Sequence, residues 1–195
     1  MSKKMDNKKI EKAIRLLLEA VGDDPNREGL IETPKRVAKF FNETLEGMLY
    51  SNEELIKMFD KQFEMPTSNN MVVVSNIPIF SFCEHHLALM FNMRAHIAYI
   101  PKDKVLGLSK VARIVDMVAK RLQLQERICE DTAYIMKQIL NTDNVAVVIQ
   151  GEHGCVAARG IKKIGSLTCT EVLSGQFQSD EKLANRFYSL IEKAN

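Results

Sequence analysis

Strand-like segments come in adjacent pairs in this chain, with pairs of helical segments between them. No other feature of the sequence constrains the fold as much. "MVVVSNIPIFSF" from Met71 and "AHIAYIP" from Ala95 are rich in β-branched and aromatic residues, which predicts two strands. "NVAVVIQ" and "SLTCTEV" predict a second pair further on. Ile10, Ala13, Ile14, Leu17, Leu18 and Val21 recur at helical steps and predict an amphipathic helix ending at Gly22. A second helix is predicted with Thr33 as N-cap and Pro34 in its first position, carrying Val37, Phe40, Phe41, Leu45 and Met48. Ser109 is the expected N-cap of a third, which presents Val111, Ile114, Val115, Val118 and Leu122. Further helices are predicted from Glu126 to Leu140 and around Leu183, Phe187, Leu190 and Ile191. Paired strands and paired helices imply an α+β fold with an antiparallel sheet, not a doubly wound parallel one. Residues 51–70 are charged, then polar, and end in the linker signal "PTSNN". An N-terminal helical region, 1–65, is therefore expected before a main domain, 66–195.

Composition narrows the function. The net charge is +2, tryptophan is absent and aromatics are 7%, so neither an overall field for nucleic acid or an anionic membrane nor a base-stacking surface is indicated. No nucleic-acid partner is expected. The basic N-terminus interleaves apolar residues with charge and lacks the apolar core of a signal peptide. No segment approaches the ~20 apolar residues of a membrane span, so no membrane partner is expected and the cytoplasm is the expected location. In that reducing setting Cys83, Cys129, Cys155 and Cys169 read as free thiols or metal ligands rather than disulfides.

Three of the four histidines stand in two cysteine-containing clusters. "CEHH" separates Cys83 from His86 by two residues, so one turn or strand-end bend can aim both at a single ion. "EHGC" offers His153 and Cys155, which share a side if that piece is extended. Thiolate and imidazole suit Zn²⁺. Two ligands from the first cluster and one from the second leave the fourth position to water, whose pKa then falls to roughly 7. The surplus histidines become candidate proton carriers. A closed structural site using a further histidine is the alternative. Cys129, on a helix, and Cys169, in a strand, read as small buried hydrophobes.

"GLSKVARIV" places Ser109, Lys110 and Arg113 in the first turn and a half of a helix, where free N–H groups gather. Cations there do not help the helix, but they suit a docked phosphate. Arg159, four residues after Cys155, can bring a guanidinium towards the metal. Solvated basic residues are the plainer reading. Glu126, next to Gln125, could read a guanine edge through its carboxylate, or could simply begin an exposed helix.

"CEHHL", "YIPKDKVLGLSKVARIV", "QLQERI", "HGCVAARGI" and "GQF" stand in the order and spacing of the GTP cyclohydrolase I family, which this chain resembles from Glu32 to Phe177. The resemblance implies the tunnelling fold (T-fold), with an antiparallel sheet, helices and an N-terminal helical extension. It implies hydrolysis of GTP at purine C8, release of formate and reclosure to 7,8-dihydroneopterin triphosphate, the first step towards folate or tetrahydropterin. Carried over by motif, Cys83, His86 and Cys155 correspond to ligands of one Zn²⁺ per subunit. His85 and His153 correspond to the proton-transfer pair. Gln125 and Glu126 would bind the substrate, with Glu126 holding the guanine ring. Ser109, Lys110, Arg113 and Arg159 would hold the triphosphate, and Arg36 and Lys39 resemble residues that reach phosphates across a subunit boundary. The implied assembly is a homo-oligomer, a decamer of two pentamers with active sites at subunit interfaces.

Two departures stand out. Where the family has a glycine followed by lysine, this chain reads "ALMFNMRA", with no glycine and one residue more, and with Arg94 in place of the lysine. A remodelled turn is expected there. Cys129 stands where the family commonly has threonine.

Overall fold

The structure, a computed structural model, describes residues 4–64 and 70–194. Two compact units divide the chain, residues 1–50 and 51–195. The expected boundary at 65/66, and most of the linker signal, lie outside the described residues.

In the first unit, α1 (Asn7–Ala20) packs against α2 (Thr33–Thr44). Asp6 caps α1 by accepting the Lys9 N–H at 3.1 Å, and the chain leaves the helix through Gly22 at φ +88. Thr33 already lies inside α2, with Glu32 at the cap, one residue earlier than expected. A 3₁₀ turn, Glu46–Leu49, closes the unit. No residue of α1 is buried, and Leu16, Leu17 and Val21 are exposed.

The second unit opens with α3 (Asn52–Phe59), where only charged and polar chain was expected. Ser51 and Glu54 form a reciprocal capping box there. β1 (Gln62–Glu64) follows. Then come β2 (Val72–Cys83), β3 (Ala88–Tyr99), β4 (Lys104–Leu106), α4 (Leu108–Ala119), β5 (Leu122–Gln123) and α5 (Gln125–Leu140). β6 (Val145–His153), α6 (Gly154–Ala157), β7 (Leu167–Leu173), α7 (Gln176–Ser179) and α8 (Glu181–Glu192) complete it. β1 and β4 form a separate two-stranded ribbon. The main sheet runs β5-β2-β3-β6-β7 and is antiparallel except where β5 joins β2 in parallel through two residue pairs. Gly107, not Ser109, occupies the N-cap position of α4.

Residues 145–149 of β6 are all buried, because both faces of the sheet are covered there. α4 and α5 lie on one face, against β2, β6 and β7. On the other, Phe177 and Phe187 meet edge to face with ring centroids 6.0 Å apart, over Ala98, Ala146 and Val148. Among the described residues, no helix is long and apolar enough to cross a membrane.

β3 carries the departure noted in the sequence. The expected remodelled turn is instead a continuous strand, and the turn of the hairpin is Glu84–Leu87. A β-bulge lies within this segment. Phe91 pairs Glu152 and Arg94 pairs Gln150, so two residues of β3 oppose Gly151 alone. Asn92 sits in the bulge at φ +50, and its amide donates to Glu152 Oε1 at 2.8 Å. Gly151 suits the place opposite, because a Cβ there would fall 2.5 Å from the Met93 Cγ and 3.2 Å from its Cβ. A second bulge on β2 sets Asn76 at φ +56, and its N–H donates to Nδ1 of the buried His96 at 3.2 Å.

Candidate active site

The "CEHHL" segment is where β2 stops. Cys83 is its last residue and is buried. The Leu87 N–H returns to the Cys83 carbonyl at 2.9 Å, and Leu87 takes φ +51, so the chain reverses within four residues. The turn is tethered from the side. The Glu84 N–H donates to the Gln123 carbonyl on β5 at 3.1 Å. The Glu84 carboxylate accepts from both Arg127 amino groups, at 2.7 and 3.2 Å. Arg127, and not any group of the metal cluster, holds the Glu84 carboxyl below the usual carboxylate range.

Cys83, His86 and Cys155 bring one ligand atom each to within 4.8 Å of one another, so this cluster could hold a metal ion. The Cys83 Sγ and His86 Nδ1 are 4.0 Å apart. Two sulfurs and an imidazole form a soft donor set. Burial pushes the Cys155 thiol up, and the neighbouring Cys83 pushes it further, since two thiolates side by side repel. A cation between them removes that conflict, so the residues present fit a metal. Arg159 NH1 lies 2.7 Å from His86 Nε2.

His153 and Cys155 do not share the side of one extended segment, as expected from the sequence. His153 ends β6, and Gly154–Ala157 turns at once into α6. Gly154 permits the turn, because a Cβ there would fall 2.8 Å from the Leu89 carbonyl oxygen of β3. Cys155 thus reaches the metal cluster, while His153 Nε2 faces Gln125 Oε1 at 2.8 Å. Burial lowers the His153 pKa, with Glu126 opposing. His85 is exposed, and its ring stands edge-on to that of His86 with centroids 6.3 Å apart.

Gln125 and Glu126 begin α5 and part ways there. Glu126 is exposed, whereas the Gln125 side chain is buried. Its amide reaches the Ile149 and Thr168 carbonyls, both at 3.0 Å, and Thr170 Oγ1 at 3.2 Å. The sequence carried no sign of this internal bonding. Cys129 is buried behind the same network, with Sγ 3.2 Å from Thr170 Oγ1, and burial pushes its thiol up to about 12. Cys169 is exposed, contrary to expectation. β7 is the last strand of the sheet, and its outer residues Leu167, Cys169 and Glu171 are left uncovered.

Ser109, Lys110 and Arg113 lie at the start of α4, which has no side-chain cap. Ser109 and Arg113 are exposed, and the Lys110 ammonium stands 5.5 Å from the centre of the Phe59 ring. Arg36 and Lys39 belong to the 1–50 unit. They line a cavity of about 470 Å³ there with Asn7, Glu32 and Lys35, and Arg36 pairs with Glu32 at 2.7 Å. No residue of the metal cluster lines that cavity.

Comparison with known proteins identifies the family. The family model for GTP cyclohydrolase I matches residues 10–192. A GTP cyclohydrolase 1 of Clostridium beijerinckii is 55% identical over 188 residues, covering 94% of this chain and 95% of that protein. Its counterpart in Clostridium acetobutylicum is 53% identical over 192 residues, covering 96% and 98%. One from Clostridium botulinum strain Kyoto is 54% identical over 194 residues, covering 97% and 99%. From motifs, fold and these relatives together, the chain belongs to the GTP cyclohydrolase I family.

Proposed function

We propose that this chain hydrolyses GTP at purine C8 and releases 7,8-dihydroneopterin triphosphate, using one zinc ion per subunit held by Cys83, His86 and Cys155. The reaction is that of the family. One observation carries the choice of site: ligand atoms from two segments far apart in sequence converge within 4.8 Å. A zinc ion held there supplies Lewis acidity, which makes water nucleophilic near neutral pH.

The chain's own residues do the rest. Glu126 pairs with the guanine edge through its carboxylate. Ser109, Lys110 and Arg113, at the uncapped start of α4, bind phosphate oxygens with the help of the helix N–H groups. Arg159 joins them from beside His86. His85 and His153 give and take the protons that opening and reclosing the imidazole ring require. Arg36 and Lys39 extend to phosphates across a subunit boundary in a homodecamer of two pentamers. Leu16, Leu17 and Val21, exposed on α1, and the open edge of β7 support a subunit that self-assembles. The cytoplasm, where free thiols persist, is the expected site of action.

The test is direct. Zinc-loaded protein is incubated with GTP, the product is oxidised, and neopterin fluorescence is read. A fluorescent product is expected; none from metal-replete protein refutes the reading. Light scattering tests the assembly, and a monomer would refute it.

A further inference from the structure

The Gln125 amide can be oriented from its surroundings alone. Its nitrogen lies 3.0 Å from two backbone carbonyl oxygens, Ile149 on β6 and Thr168 on β7. Carbonyl oxygens only accept, so the group facing them must be NH₂. The reversed amide would press three oxygens together inside a side chain that is 1% exposed. Both amide hydrogens are therefore committed within the protein, and the amide oxygen is turned towards His153 Nε2 at 2.8 Å. That oxygen only accepts in turn, so His153 Nε2 carries the hydrogen. A neutral imidazole has one N–H, which leaves the lone pair on Nδ1.

We propose that Gln125 is a positioning residue for His153: it orients the ring, fixes its Nε2–H tautomer with Nδ1 bare, and does not itself hold the purine. This deepens the reading of His153 as a proton carrier and rests on it. A tautomer held by a neighbouring acceptor keeps the reactive nitrogen bare, which is how the orienting carboxylate acts in hydrolytic triads.

The experiment uses zinc-loaded protein labelled with ¹⁵N-histidine, with the His153 resonances identified by their loss in His153→Ala. In the unsubstituted protein they should show a protonated Nε2 and a bare Nδ1. Gln125→Met keeps the volume but removes the acceptor. It should mix the tautomers and lower kcat by about tenfold or more, while KM for GTP changes by less than about threefold. A hydrogen on Nδ1 in the unsubstituted protein overturns the proposal. So does a Gln125→Met enzyme whose KM rises while kcat holds, because that is the mark of a lost substrate contact. Should Gln125→Met fail to fold, the tautomer of the unsubstituted protein still decides. Absence of neopterin from the unsubstituted enzyme would instead strike at the activity, and the spectrum would still show separately whether Gln125 sets the tautomer.

Discussion

Gly154→Ala tests whether the metal cluster depends on the close approach of two backbones. The new Cβ would stand 2.8 Å from the Leu89 carbonyl oxygen and 3.6 Å from the Leu89 nitrogen. Both neighbours are main chain on a strand paired along its length, so neither can swing aside as a flexible side chain could. Restoring ordinary van der Waals separation requires a displacement of about 0.6 Å. Cys155 is the next residue and takes most of that shift. Metal sites tolerate only about 0.2 Å of error in ligand distance, so the cluster should lose its fit. Zinc affinity, measured by competition with a chromophoric chelator, should fall by about 10- to 100-fold, the range seen when support behind a metal ligand is lost. Gly107→Ala is the control, since its Cβ would meet nothing closer than 3.5 Å. Unchanged zinc affinity in Gly154→Ala would show that Cys155 is not held by this contact.

Other outcomes follow from the same geometry. Cys155→Ala should lose zinc and turnover together, and stoichiometric metal in that variant, by elemental analysis, would remove Cys155 from the ligand set. His153→Ala should keep its zinc and lose turnover by about 10²-fold or more in the neopterin assay; retained activity would end its role as a proton carrier. His96 gives a stability test. Burial first, and Arg94 second, lower its pKa from 6.5. The unfolded chain therefore takes up this proton before the folded one. The stability due to neutral His96 is complete above about pH 6.5 and is lost as the pH falls from there through the lower folded value. Acid also places a hydrogen on Nδ1, against the Asn76 N–H. Thermal midpoints from about pH 8 to about pH 5 should show this decline, and His96→Gln should flatten it. An equal slope in both would refute the assignment.

The convergence of Cys83, His86 and Cys155 was legible because cysteine and histidine stand together in two short segments, a local pattern that suits a metal ion. The large elements were legible through periodicity. α3 was missed although its Ser51–Glu54 capping box stands in the sequence, because the surrounding charge reads equally well as a polar loop. β5 has two residues, too few for any periodic signal, and its parallel pairing depends on where α4 returns the chain. The helical turn at Gly154 follows from the position of Leu89, which no local pattern encodes. Gln125 shows the same limit. Its place in "QLQERI" suggests a partner for Glu126, yet its amide is taken up by carbonyls of β6 and β7, more than twenty residues away.

The bulge at Asn92 has a consequence for how the hairpin tolerates change. Side chains on a strand alternate, and Asn92 and Met93 of β3 together stand opposite the single residue Gly151. The extra residue resets the phase of the strand midway. Its end beside Cys83 and His153 and its end in the sheet centre keep independent parity. A chain can lengthen by one residue at such a joint while Cys83 and His153 stay in step with their partners on β3.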